Sequence, residues 1–194
     1  MFDRTLLKTG KPILNFLSRR MHAAGISADC ITFTAFAFGM IAALLIAMGH
    51  SHLALVPLLS GRLLDGLDGA VARLTTPTDR GAFLDISLDF LFYAAVPLAF
   101  SHVDALASAV LLAAFIGTGT SFLAYAIIAA KRGQSSQAKS FYYLGGLTEG
   151  GETIFCFTLM CLWPAHFAAF AYVFSALCLL TIGTRIYAGW TDFR

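Results

Sequence analysis

Charge is what this chain has least of. Asp, Glu, Lys and Arg make up 12% of its 194 residues, against 58% hydrophobic ones. A chain so poor in charge does not cover a water-facing surface of ordinary composition, so an integral membrane protein is expected, a single domain over residues 1–194. Cysteine is sparse as well. Cys30, Cys156, Cys161 and Cys178 lie in apolar stretches with no metal-type spacing, so no disulfide framework is implied and they read as small buried hydrophobes. Low-complexity segments and internal repeats are absent, and so is a signal peptide: the first apolar segment has full membrane length, with no small-residue cleavage site before a polar domain. The net charge of +2 says little by itself, and no nucleic-acid partner is expected.

The placement of that charge says more. None of the 13 Lys and Arg falls in the polar breaks at 49–52, 101–104 or 163–166. They gather at the N-terminus, around Pro77, between Lys131 and Lys139, and at the C-terminus. By the positive-inside rule those regions are cytoplasmic, and two cytoplasmic termini require an even number of crossings. Six apolar segments, 30–49, 53–74, 82–100, 104–130, 148–163 and 166–189, are each near the ~20 residues that cross the hydrocarbon. Ahead of them, residues 2–21 alternate apolar and basic faces at helical spacing, which suits a helix lying among lipid headgroups, with Gly10 and Pro12 expected to break it into two pieces. The expected fold is therefore an all-α membrane protein: six transmembrane helices (residues 30–189) plus an N-terminal interfacial amphipathic helix (residues 1–21).

Against this background residues 65–89 stand out: D-G-L-D-G-A-V-A-R-L-T-T-P-T-D-R-G-A-F-L-D-I-S-L-D. Helical residues three or four apart share a face, so Asp65 and Asp68 point one way on a first helix, and Asp85 and Asp89 one way on a second. The turn near Pro77 makes the two helices antiparallel neighbours, and at about 1.5 Å rise per residue all four acids lie roughly 12–18 Å from it. Four such charges at low dielectric either protonate or take up cations. Oxygen-only ligands favour Mg²⁺ or Mn²⁺, and two such ions about 4 Å apart make a clamp for in-line displacement at phosphorus. Gly69 and Ala72 leave room beside the acids, Gly81 opens the second helix, and the guanidinium of Arg73 can hold a phosphate.

The pattern D-x-x-D-G-x-x-A-R, seven residues, G-x-x-x-D-x-x-x-D resembles the signature of the CDP-alcohol phosphotransferase (phosphatidyltransferase) family, and Asp65, Asp68, Gly69, Ala72, Arg73, Gly81, Asp85 and Asp89 fill every position. The runs F-L-D-I-S-L-D-F and K-S-F-Y-Y-L-G-G-L-T-E-G add a likeness to short bacterial inner-membrane members. The resemblance implies transfer of a phosphatidyl group from CDP-diacylglycerol to a small alcohol with release of CMP, assisted by two Mg²⁺ or Mn²⁺ ions. By the same resemblance Asp65, Asp68, Asp85 and Asp89 are metal ligands, Asp89 is also the general base, and Gly69, Ala72, Arg73 and Gly81 hold the nucleotide. Thr32 matches a family threonine near the CDP, whereas relatives carry Pro-Asn where this chain has Ala28 and Asp29. Ser27 or Asp29 as a helix N-cap accounts equally well for that neighbourhood. A homodimer in the bacterial inner membrane, with the active site on the cytoplasmic side, is a further family expectation.

The acceptor is read from cations outside the motif. Lys139, Arg132 and Arg185 could grip a phosphorylated alcohol such as glycerol 3-phosphate or inositol phosphate; serine would need fewer. Positive-inside flanking explains Lys131 and Arg132 as well, and snorkelling competes for Arg185. Arg62 is expected to pair with an acid one turn on. Thr148 reads as an N-cap, Glu149 as an acid complementing the helix dipole, and Glu152 as an alcohol contact or a partner of Lys139 or Arg185. Histidines at the outer boundaries read as interfacial side chains. A cation transporter would also bury carboxylates, and a lipid phosphatase could share the metal chemistry with water as nucleophile.

Overall fold

Where the apolar stretches stop, polar side chains close the exposed helix ends. Ser27 accepts from the Cys30 N–H at 3.3 Å, Thr78 from Gly81 at 3.0 Å, and Asp104 from Ala107 at 2.9 Å, each satisfying a donor that the first helical turn leaves unpaired. Gly25 and Gly49 take positive φ, 75° and 80°, where the chain turns out of a helix, a conformation that would strain most other residues.

A computed structural model describes residues 2–133 and 148–194, with the side chains of 2–11 and 13 left out. Among these residues the chain is all-helical: α1 (Phe2–Ala23), α2 (Ala28–Ala47), α3 (Ser51–Ala72), α4 (Asp79–Ala99), α5 (Ala105–Lys131), α6 (Gly150–Leu162) and α7 (Phe167–Asp192), with short 3₁₀ turns at Phe100–His102 and Pro164–His166. The region around α2, α4 with its 3₁₀ turn, α5, and α7 supplies four stretches long and apolar enough to cross a membrane. The 22-residue α3 carries Arg62, Asp65 and Asp68 in its second half, and α6 has only 13 residues. The protein is thus a multi-pass helical membrane protein.

Three expectations are corrected. The N-terminal segment is one continuous helix through Gly10 and Pro12; a proline removes one helical hydrogen bond, and here the helix runs on past it. Its Leu14, Leu17 and Met21 pack on Ile31, Leu67 and Val71 of α2 and α3, so part of its apolar face lies on protein. Thr148 does not cap α6: Glu149 occupies the N-cap position without a side-chain capping bond, while the Thr148 hydroxyl bonds Thr181 of α7 at 3.1 Å. Cys30 is exposed, whereas Cys156, Cys161 and Cys178 are buried as expected.

The main core lies away from the Pro77 turn. Phe92, Phe115 and Phe157 meet edge to face there (Phe92–Phe157 and Phe115–Phe157 both 5.9 Å between centroids), and Phe100 stacks on Phe167 at 4.6 Å. Close approach of α2 to α3 depends on glycine. A Cβ on Gly61 would lie 3.0 Å from the Ala35 carbonyl oxygen and 3.4 Å from the Gly39 nitrogen, both backbone atoms, and small residues at such crossings let membrane helices touch. Gly61→Val is therefore expected to destabilise the bundle by about 1–3 kcal/mol, read as a lower unfolding temperature in detergent; an unchanged value would show that the α2–α3 contact can spread.

The placement of α2 also shapes the site. It packs along α3 and against α4, whereas the backbones of α3 and α4 approach one another closely at few points. The two motif helices are thus neighbours, as expected from their short turn, but they meet through side chains and not by close backbone packing. A cleft separates them.

Candidate metal centre and its two cavities

Helical spacing on α3 and α4 turns the acids into this cleft. Oxygens from Asp65, Asp68 and Asp85 lie within 4.8 Å of one another. Asp68 is 5% exposed and doubly held: Oδ2 accepts from the Thr32 hydroxyl at 2.6 Å and Oδ1 from the Gly69 N–H at 2.5 Å. Those bonds fix its orientation from α2 as well as from its own helix. Three convergent carboxylates with no sulfur or nitrogen donor fit a hard divalent ion, Mg²⁺ or Mn²⁺.

Asp89 is set apart from that trio. Its Oδ1 accepts from Arg62 Nη1 at 2.6 Å, and the same nitrogen lies 3.4 Å from Asp65 Oδ2. The Arg62 guanidinium also sits 4.2 Å over the ring of fully buried Phe92, a cation–π arrangement. The pairing with Asp65 is the expected one-turn contact; the bridge to Asp89 across the cleft is not legible from spacing on one helix.

Two cavities flank the acids. The first, about 530 Å³, is lined by Asp29, Thr32, Asp68, Gly69, Ala72, Arg73, Gly81 and Asp85, among others. All five residues expected to contact the nucleotide therefore fall on one wall system. A Cβ on Gly69 would lie 3.3 Å from Arg73 Nη1, so the guanidinium folds back over the glycine. Asp29 pairs with exposed Arg80 at 2.5 Å and leaves the capping position to Ser27. The second cavity, about 440 Å³, is lined by Asp85, Asp89, Tyr93, Phe122, Glu149 and Arg185, among others. Asp85 is common to both.

The expected acceptor residues separate. Arg185 lines the second cavity, donates from Nη1 to the Thr118 carbonyl at 2.9 Å and lies 5.5 Å over Phe122. Arg132 lines neither cavity; it donates to the carbonyls of Asp192 and Phe193 at 3.0 and 2.6 Å, closing the C-terminal end of α7. Lys139 lies outside the described residues. Tyr93 was missed from the sequence, where an aromatic in an apolar run looks like core; its spacing of four from Asp89 was the available signal.

Carboxylates converging between two cavities inside a multi-pass bundle are the make-up of a membrane-embedded enzyme. A sequence model of the CDP-alcohol phosphatidyltransferase family matches residues 26–191, and the chain belongs to that family. It is 52% identical over 201 residues to the inner membrane protein YnjF of Escherichia coli (strain K12), covering 100% of this chain and 98% of the relative. Its fold is similar to that of the phosphatidylinositol phosphate synthase PgsA1 of Mycobacterium tuberculosis. The structure with CDP-DAG bound matches with a TM-score of 0.68 at 21% identity, over 93% of this chain and 94% of that one. The complex with manganese and citrate matches at 0.65 and 21%, over 92% and 89%.

Proposed function

We propose that the protein transfers a phosphatidyl group from CDP-diacylglycerol to a small phosphorylated alcohol, glycerol 3-phosphate first among candidates, releasing CMP. The observation that carries this reading is the placement of three of the acids, with Asp68 and Asp85 lining the first cavity and Asp85 and Asp89 the second. The residues resembling the family's nucleotide contacts line one, and Asp89, resembling its general base, lines the other beside Arg185.

In this reading the acceptor lies in the second cavity with its phosphate on Arg185 and its hydroxyl toward Asp89. The hydroxyl oxygen attacks the phosphorus bearing the diacylglycerol, and its proton passes to the Asp89 carboxylate. A new P–O bond forms as the bond to CMP breaks, CMP keeping the electron pair. Arg73 and the open backbone at Gly69, Ala72 and Gly81 hold the nucleotide in line. Divalent metal held by Asp65, Asp68 and Asp85, with Asp89 alongside, would neutralise the charge developing on the pyrophosphate.

Six crossings, α2 to α7, with both termini and the cleft on the cytoplasmic side of an inner membrane, belong to the same reading. It rests on the distribution of Lys and Arg, which avoid 49–52, 101–104 and 163–166. The acyl chains can then stay in the bilayer while the headgroup enters the cleft.

The test is an acceptor screen: purified protein, Mg²⁺ or Mn²⁺, labelled CDP-diacylglycerol and glycerol 3-phosphate, inositol phosphate or serine. CMP release that requires an alcohol supports the transferase; release without one indicates a hydrolase, and none would leave a transporter. With a phosphorylated acceptor, Arg185→Ala is expected to raise its KM by roughly tenfold or more, as for a lost charged hydrogen bond, with a smaller change in kcat. An unaltered KM would remove Arg185 from the acceptor's phosphate.

A further inference from the structure

Arg62 lies outside the motif, yet its position is as defined as that of any motif residue. Its side chain is 11% exposed, and Nη1 reaches Asp65 of α3 at 3.4 Å and Asp89 of α4 at 2.6 Å. Phe92, fully buried, supports the guanidinium from below at 4.2 Å. Phe92 is itself wedged against α2, since a Cβ on Gly39 would lie 2.6 Å from its ring. An arginine free to choose would extend to the membrane surface. This one is held across the cleft by one acid from each wall.

Asp65 and Asp89 are two of the four acids that the resemblance gives as metal ligands, so a second ion, beside one held by the Asp65, Asp68 and Asp85 trio, would compete with Arg62 for them. We propose, resting on the metal-dependent reading above, that Arg62 is a positioning residue that occupies the second cation's place in the resting protein. The first divalent ion then binds readily, because the four carboxylates with Arg62 remain net negative after it enters. A second ion reverses the sign of the cluster and must displace a guanidinium from Asp89. The pyrophosphate of the incoming donor supplies the negative charge that makes this exchange favourable, so the second ion loads with the donor.

The experiment is a Mn²⁺ titration of the full chain in lipid nanodiscs without substrate, followed by electron paramagnetic resonance and calorimetry. Wild type is expected to bind one ion per chain tightly and a second at least about tenfold more weakly, the size of an ordinary coupling between sites. Arg62→Gln is expected to bring the two affinities within about threefold of each other, below that coupling range, and to give the spectrum of a spin-coupled pair. Arg62→Met, also uncharged, replaces it if the glutamine variant does not fold. Two equal sites in wild type, or a charge-neutral variant whose second affinity is unchanged, would overturn the role of Arg62; the wild-type ratio decides even without a variant. Uptake that ignores Asp68→Asn, or none in wild type, would instead overturn the metal reading beneath it.

Discussion

Asp68→Asn is expected to lower kcat on the order of a thousandfold, the scale of losing one preorganised electrostatic contact to a transition state. Asp68 is the most buried of the motif acids, and both its oxygens are bonded, to Thr32 and to the Gly69 N–H. The change is isosteric, so the packing around it survives, while one of three convergent charges is lost and with it a metal ligand in the proposed site. CMP release and Mn²⁺ binding should fall together. Unfolding measured in chelator separates this from damage to the fold: removing a charge from a repulsive cluster should leave the metal-free variant at least as stable as wild type. A variant that keeps full turnover would show that the cluster is not the reaction centre.

Asp89→Asn should be nearly as severe but differently distributed. Loss of a general base lowers turnover by about 10²–10⁴-fold. Asp89 lines the second cavity and not the first, so the direct contacts to CDP-diacylglycerol should survive, and any loss of donor affinity should come only through the ion that loads with it. Equilibrium binding of the nucleotide-lipid alongside single-turnover CMP release tests that split. Full turnover would remove Asp89 as the base; a loss of donor binding that excess Mn²⁺ restores would trace that part of the effect to the second ion, with the turnover defect left to the base.

The helices were legible because hydrophobic runs of membrane length leave little choice of structure, and the cap at Ser27, one of two candidates there, follows from local chemistry, whereas the cap expected at Thr148 does not form. The wall of the first cavity was legible for a different reason: Asp68, Gly69, Ala72, Arg73, Gly81 and Asp85 lie on two helices joined by one turn, so spacing alone brings them to one place. Contacts made by a third element were not. Thr32 reaches Asp68 across 36 positions, Arg62 reaches Asp89 across 27, and Arg185 reaches the Thr118 carbonyl across 67. Each depends on which helix lies beside which, and that is decided by packing at small residues such as Gly61 and Gly39. The same limitation placed Arg132 at the acceptor, although the carbonyls at the end of α7 claim it.

Because α2 packs on both α3 and α4, the spacing of the acids is set by a helix outside the motif. The effort of assembling like charges belongs to folding, and an arriving ion meets oxygens that need no helix movement to receive it. A spacing so set also discriminates by radius. Ca²⁺ seeks six to eight oxygens at about 2.3–2.6 Å, whereas Mg²⁺ fits octahedral positions near 2.0–2.1 Å and keeps several waters. In the proposed metal site α2 thus acts as a gauge, favouring the smaller cation by geometry more than by charge.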